Sequence, residues 1–336
     1  MFNKIYEKLL SFIKINYKFL IFLTVLIFVF YYEFPYLIYK SGGTINLEER
    51  VEIAREYQED GTLSMSYVTA IKGTIPFILL SYVLDDWDLI PMEQITGGNT
   101  DYQEVLETGK VYLNEGIDNA IIAAFNESNY NITINKSINT VTYISGEADT
   151  DIEVGDILTK VDNVNVNVLE DVKSYVNTLN VGDIVSVTVI RDGKEEMHQA
   201  KVYLDSENTL KIGLAFKTTY EYTTEIPVTV KMKDNESGSS GGLMMSLAIY
   251  NALTEEDITH GLNIVGTGSI NSDGTVDEIG GVKYKVLGAV KHGADLFFCP
   301  KENYEEAINI KEKRNLDIDI VSVSTLKDAI NYLSGL

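Results

Sequence analysis

The chain has 336 residues, 45% hydrophobic and 23% charged, enough apolar material for two or three globular cores. Its formal net charge of −23 argues against nucleic-acid binding, which depends on Lys and Arg neutralising phosphates, and reads as an acidic, solvated surface. A single cysteine, Cys299, excludes an intrachain disulfide, and the three histidines, His198, His260 and His292, lack metal-ligand spacing, so neither a metal nor another cofactor is expected.

Residues 19–32 read FLIFLTVLIFVFYY without a charge, and past Glu33 the run continues as FPYLIY to Tyr39. Crossing the hydrocarbon core takes roughly 20 residues at 1.5 Å each. The stretch 16–39 meets that with Lys18 and Glu33 at the two interfaces and Tyr17, Tyr31, Tyr32, Tyr36 and Tyr39 in the aromatic belt. A cleaved signal peptide is the competing reading, but its apolar core is usually shorter and no small-x-small cleavage site comes after it. Lys4, Lys8, Lys14 and Lys18 precede the span, so the positive-inside rule keeps the N-terminus cytoplasmic and exports the chain beyond Lys40. Residues 1–40 are thus expected to be a cytoplasmic stub and a single-pass anchor in the cell membrane, with the rest of the chain extracellular.

Residues 41–127 read as a membrane-proximal α/β region. A strand is expected over 63–71 and a helix over 105–125, the latter with Ala, Ile and Leu on one face but interrupted by Gly109 and Gly116. The run containing Asn126, Asn129, Asn131 and Asn135 reads as a loop. From 128 to 208 the pattern changes to short strands at 141–144, 157–161, 184–191 and 197–202, a helix over 169–179, and an Asp192-Gly193 hairpin turn. From 209 to 336 strands (211–216, 227–231, 263–270, 296–299, 318–321) alternate with helices (240–253, 282–292, 302–313, 325–334), which predicts an α/β layer fold with its own core. Cys299 falls in the apolar run of the fourth of these strands and reads as buried and inert.

The chemistry concentrates in the loop Asp234-Asn-Glu-Ser-Gly-Ser-Ser-Gly-Gly-Leu243, which comes after a strand and runs directly into a helix. Gly238, Ser239 and Gly241 let backbone N–H groups approach a ligand, and the positive end of the helix dipole lies at the same spot. That suits a developing oxyanion, with N–H groups near Gly238 and Ser240 as donors and an exposed serine as nucleophile. Taken alone the loop is equally a phosphate nest or a helix cap, and it lacks the ending of a P-loop. A second set of words lies downstream: Gly266-Thr267-Gly268-Ser269-Ile270 and Gly280-Gly281-Val282-Lys283-Tyr284-Lys285.

Together these words resemble the proteolytic domain of Lon proteases, and most closely the membrane-anchored, PDZ-containing Lon-like serine proteases of Gram-positive bacteria. GSSGG is similar to the family's G-P-S-A-G loop and implies Ser240 as nucleophile. GGVKYK matches its G-G-x-K-x-K pattern and implies Lys285 as general base, and TGSI implies a supporting role for Thr267. Ser239 stands where the family has proline, Gly241 where it has alanine, and Ser237 where it usually has an acid. The words VGDILTKVDNVNV, LEDVKSYVNTL and VGDIVSVTVIRDGK resemble a bacterial PDZ domain, in which a strand and a helix form a groove for an extended peptide.

The expected fold is therefore α+β: an N-terminal transmembrane helix, a β-rich PDZ-like domain at 128–208 and a Lon-type proteolytic domain at 209–336. With no well-placed histidine, Lys285 can serve as base only if burial lowers its pKa, and Lys283 reads as a solvated helix lysine. The resemblance implies an endopeptidase with a Ser240–Lys285 dyad, acting at the outer face of the membrane on unfolded or membrane-associated proteins. No Walker motif is present, so the activity is expected to be independent of ATP. The resemblance also implies protein or peptide substrates, reached through the PDZ-like groove, and assembly as a homo-oligomer. The alternative is a catalytically impaired, PDZ-bearing membrane adaptor, and a weaker one is an anion-binding module.

Overall fold

The structure, a computed structural model, describes residues 2–54, 60–96 and 102–336. Residues 55–59 and 97–101 of the expected membrane-proximal region lie outside the described residues. The chain divides into two compact units, Met1–Gly42 with Val68–Thr100, and Gly43–Tyr67 with Asp101–Leu336.

The first unit opens with α1 (Phe2–Tyr31), whose segment Ile5–Tyr31 is long and apolar enough to cross a membrane and buries nothing of its apolar window inside the protein. The helix stops there. Pro35 has no N–H to donate and cannot sit inside a helix, and the chain turns into β1 (Phe34–Asn46). Residues 34–39, expected to complete the span, are therefore strand. β2 (Val51–Ile53) and the first half of β3 (Thr62–Gly73) belong to the second unit, and the first resumes with the rest of β3, α2 (Ile75–Ser81), β4 (Asp88–Pro91) and α3 (Met92–Thr96). β4 pairs antiparallel with β1, from Tyr36 opposite Pro91 to Tyr39 opposite Asp88.

In the second unit a long helix, α4 (Tyr102–Glu127), precedes a β-rich segment: β5 (Ile132–Ile144), β6 (Ile157–Val161), β7 (Val164–Asn165), α5 (Leu169–Val176), β8 (Ile184–Arg191), β9 (Lys194–Lys201), β10 (Tyr203–Leu204), β11 (Leu210–Lys211) and β12 (Leu214–Thr224). Six of these strands form an antiparallel sheet in the order β12-β5-β6-β8-β9, with β7 on β6, while β10 and β11 pair with each other. Val185, Val187 and Val189 alternate into its core with Val141, Leu158 and Val161, as a period of two demands. Asp192 and Gly193 both take positive φ, the geometry of a tight hairpin.

Two expectations shift here. Asn135 lies in β5 rather than in a loop, because it extends the long pairing with β12. The strand expected over 211–216 as the start of the last domain is instead split between β11 and β12, and Phe216 packs into the β-rich core.

The remaining elements are β13 (Val228–Val230), α6 (Gly242–Leu253), β14 (Asn263–Gly266), β15 (Ser269–Ile270), β16 (Val276–Asp277), α7 (Val282–Lys291), β17 (Leu296–Pro300), α8 (Tyr304–Arg314), β18 (Asp319–Val323) and α9 (Leu326–Leu333). β18, β17, β14 and β3 run parallel side by side, with Ile264 between Leu296 and Leu63. Parallel strands covered by helices are buried on both faces, so every residue of β17, Cys299 included, is buried. α6 is apolar nearly all round and sits at the centre of this unit, with eleven of its twelve residues buried. Leu63 and Met65 of β3 and Ala120 and Ala123 of α4 share one core with Leu243, Met244 and Leu247 of α6. The β-rich segment is thus inserted between two pieces, α4 and β13, that pack in a common layer with α6.

Candidate active site

The loop ahead of α6 is shaped by the helix it lies against. Gly238 takes φ +88°, a conformation that favours glycine, and its N–H donates to the Gly109 carbonyl of α4 at 2.9 Å. A Cβ on Gly109 would come within 3.0 Å of Ser237 Cβ, and one on Gly116 within 3.1 Å of Ser239 Cα. The two glycines that interrupt the helical pattern of α4 are therefore the places where the loop rests on the helix. Glu236 accepts from Arg50 at 2.9 Å and from the Lys233 N–H at 2.7 Å, which fixes the start of the loop and leaves that carboxylate fully engaged.

Ser240 is half-buried, two residues before the helix begins. Its carbonyl accepts the Gly268 N–H at 2.8 Å and the Thr267 hydroxyl at 3.0 Å. Thr267, fully buried, is held by its own N–H donating at 3.0 Å to the carbonyl of Phe298 in the middle of β17. Its hydroxyl in turn accepts from Lys285 Nζ at 3.1 Å.

Lys285 reaches this point because α7 buries one face. Gly281, in the left-handed region at φ 72°, starts the helix, and Val282, Lys285, Val286 and Ala289 repeat at helical spacing on its buried side. The lysine is only 3% exposed. Burial disfavours its charged form and lowers its pKa from 10.5 to about 7. A lysine at that pKa is substantially neutral at neutral pH and can accept a proton. Lys283 lies half-exposed with its ammonium 5.3 Å from the Tyr284 ring, away from this cluster.

Ser240, Thr267 and Lys285 are thus brought together through the threonine hydroxyl. Ser239 points elsewhere: its Oγ is 2.8 Å from that of Ser269, a residue the sequence words contained but did not single out. Gly241, the residue just before α6, lies against Met65, whose Sδ would lie 2.4 Å from a Cβ there, so methionine fills the space that an alanine at this position would need. Gly238 differs from expectation as an oxyanion donor, since its N–H already serves Gly109. Gly109, Gly116, Arg50 and Asn119, whose amide donates to the Ile270 carbonyl at 3.0 Å, support the site from segments whose partners are distant in sequence. The helical interruption by Gly109 and Gly116 is the one local sign of such contacts.

Three Lon proteases illustrate the likeness of this chain to known proteins. It is 31% identical over 193 residues to the Lon protease of Finegoldia magna, covering 57% of this chain and 23% of that one. It is 30% identical over 154 residues to that of Mesomycoplasma hyopneumoniae (45% and 17%). It is 32% identical over 140 residues to the peroxisomal Lon protease homolog 2 of Caenorhabditis elegans (42% and 17%). The chain spans less than a quarter of the length of these relatives. Among solved structures, the PDZ domain of an SdrC-like protein of Listeria monocytogenes is 22% identical and covers 23% of this chain and 85% of that one, with a TM-score of 0.22. The protein GtR34C from Geobacillus thermodenitrificans is 26% identical and covers 24% and 95%, also with a TM-score of 0.22. Residues 117–334, which hold Ser240, Thr267 and Lys285, match the Lon protease (S16) C-terminal proteolytic domain, and the chain belongs to that family.

Proposed function

We propose that this protein is a serine endopeptidase in which Ser240 is the nucleophile and Lys285 the general base. The observation that carries the reading is the buried Lys285, its pKa lowered to about 7, bonded to the hydroxyl that also holds the Ser240 main chain. The Thr267 hydroxyl gives its only proton to the Ser240 carbonyl, so towards Lys285 it is an acceptor. An N–H of the neutral amine satisfies it, and the amine lone pair stays available for the Ser240 proton.

In the reaction Ser240 Oγ bonds to the scissile carbonyl carbon while its proton passes to Lys285 Nζ. The carbonyl oxygen gains negative charge beside the Ser240 N–H and the N-terminus of α6. Collapse breaks the C–N bond, and Lys285 returns the proton to the leaving amine. Water then hydrolyses the acyl-enzyme by the same proton path.

α1 supports a membrane-anchored enzyme, since its 27-residue segment Ile5–Tyr31 exceeds the roughly 20 residues that span a bilayer. The basic residues Lys4, Lys8, Lys14 and Lys18, which precede the charge-free run 19–32, support a cytoplasmic N-terminus and a catalytic domain outside the cell. A groove of about 680 Å³ between α5 and the start of β12, lined by Leu169, Val172, Val176, Ile212, Leu214 and Phe216, supports peptide capture along an edge strand. Substrates would arrive already extended, without ATP-driven unfolding.

The test is cleavage of a loosely folded protein by the full-length protein in vesicles, without ATP. Cleavage abolished by Ser240→Ala and by Lys285→Ala sustains the reading. Activity that persists in both variants removes it, and a wild type with no activity leaves the adaptor reading, in which only the groove acts.

A further inference from the structure

The first unit carries an apolar surface that the proteolytic reading does not use. From Gly73 to Leu84 the sequence GTIPFILLSYVL has twelve residues without a charge, bounded by Lys72 on one side and by Asp85 and Asp86 on the other. Its residues Leu79, Leu80, Tyr82, Val83 and Leu84 are exposed, with Tyr82 and Val83 at 77% and 75%. A contiguous exposed patch of this kind marks an interaction surface.

Its position says what covers it. Lys72, just ahead of the run, pairs with Glu33 at 2.7 Å, and Glu33 stands two residues past the end of α1. At that same end Phe28 stacks on Tyr32, with ring centroids 4.6 Å apart, and Tyr32 meets Phe34 edge to face at 4.8 Å. The run therefore starts level with the C-terminal end of α1, and α2 then packs against α1 itself.

The backbone is arranged for a dry environment. Ile78 N–H donates to Thr74, Tyr82 to Leu79, Val83 and Leu84 to Leu80, and Trp87 to Leu84, while the Ser81 hydroxyl donates to the Ile78 carbonyl at 2.8 Å. Pro76 removes one N–H that the first turn of α2 would otherwise leave unpaired. In hydrocarbon each unpaired backbone group is costly, so local closure of this kind is what an inserted segment requires. Tyr82 lies among the exposed residues and Trp87 three residues past the last of them, and Lys40 lies over the Trp87 ring at 4.9 Å, the composition of an interfacial belt. Twelve residues are too few to span, since roughly 20 are needed, but they suit an interfacial segment.

Resting on the reading of α1 as a membrane anchor, we infer that residues 75–84 dip into the outer leaflet beside α1 as a second, non-spanning lipid contact. The occupant of the apolar surface is the acyl region of the same bilayer that α1 enters.

The experiment uses the full-length protein in phosphatidylcholine–phosphatidylglycerol vesicles, carrying a polarity-sensitive fluorophore on Val83→Cys, Leu23→Cys or Glu207→Cys. The natural Cys299 is buried, and the unsubstituted chain gives its background. The expected result is blue-shifted emission at 83 and 23, quenched at both by spin-labelled lipid, with aqueous, unquenched emission at 207. If 23 is quenched but 83 reads aqueous, the lipid-contact inference falls and the anchor stands. If 83 is shielded from water yet unquenched by lipid, the patch is covered by protein, such as a second copy, and the inference also falls. If 23 and 83 both read aqueous, the anchor reading fails with it.

Discussion

Lys285 Nζ and the Ser240 carbonyl meet on the two sides of one buried hydroxyl, that of Thr267, at 3.1 and 3.0 Å. The contact ties α7, the turn after β14 and the loop before α6 into one unit. Removing the hydroxyl while keeping the shape, as in Thr267→Val, deletes both bonds, takes from the buried Lys285 amine the acceptor that orients it, and leaves the Ser240 carbonyl to the Gly268 N–H alone. A hydrogen bond to a charged or developing charged group contributes about 1.5–3 kcal/mol, so kcat/KM is expected to fall by roughly 10- to 100-fold. Thr267→Ser should recover most of it. Equal activity in the valine and serine variants would remove the bridging role.

The pH dependence comes from the lysine. Because burial lowers its pKa to about 7, the base form accumulates as pH rises through neutrality. The expected kcat/KM rises with pH along a limb with a midpoint near 7, measured on a peptide substrate without ionisable groups in that range. A flat profile between pH 6 and 9 would mean that another group sets the rate.

Ser239 and Ser240 are adjacent but differ in their surroundings. Ser239 Oγ is bonded to Ser269 Oγ, whereas Ser240 is tied to Thr267 through its main chain. Ser239→Ala removes one neutral hydrogen bond of about 1 kcal/mol and should lower activity by no more than about fivefold. Ser240→Ala should reduce it to background. Covalent labelling by a serine-directed phosphonate, mapped by mass spectrometry, should fall on Ser240, and labelling on Ser239 would reverse the assignment.

Much of this site is legible in the sequence because its words are local. A glycine-rich loop entering a helix, a TGSI turn and a GGVKYK helix start each carry their pattern within a few residues, and Lys285 falls at helical spacing from Val282 on a face the structure buries. The illegible part depends on partners far apart in the chain. β3 joins the parallel sheet by pairing Thr62 with Asn263, and α4 supports β12 through Asp118, which accepts the Tyr220 N–H at 2.7 Å. No periodicity reveals that Leu47, Leu63, Met65, Ala120 and Ala123 complete the core around α6. The strand over 211–216 lands in the other sheet for a related reason: alternation gives a strand, but only pairing with β5 tells which sheet it joins. The span reads too long from sequence because residues 34–39 are as apolar as a membrane segment, although Pro35 already argues for an end to the helix.

Gly116 tests the contact between α4 and the catalytic loop. Alanine in a helix interior is ordinarily better than glycine by up to about 1 kcal/mol. Here its Cβ would lie 3.1 Å from Ser239 Cα and 3.3 Å from the Ser239 carbonyl oxygen, backbone that can yield only by moving the loop. Gly116→Ala is therefore expected to leave thermal stability within about 1 kcal/mol while lowering kcat by about tenfold or more, because misplacement by a fraction of an ångström is costly in catalysis. Unchanged kcat with unchanged stability would show that the loop does not depend on this seat.

The buried lysine also has a cost in stability, and the cost depends on pH. An unfolded lysine titrates near about 10.4, whereas folded Lys285 titrates at about 7. Between those values the unfolded chain binds the extra proton, so native stability rises with pH across that window. Below pH 7 both states are protonated and the penalty of the buried cation is fully present. Lys285→Met, similar in length and without charge, removes it. The variant is expected to be inactive yet to melt at a higher temperature than the wild type, with the larger gain at pH 6 and a smaller one at pH 9. Thermal unfolding of both proteins at those two pH values measures this. A gain independent of pH would mean that packing, and not the desolvated cation, separates the two.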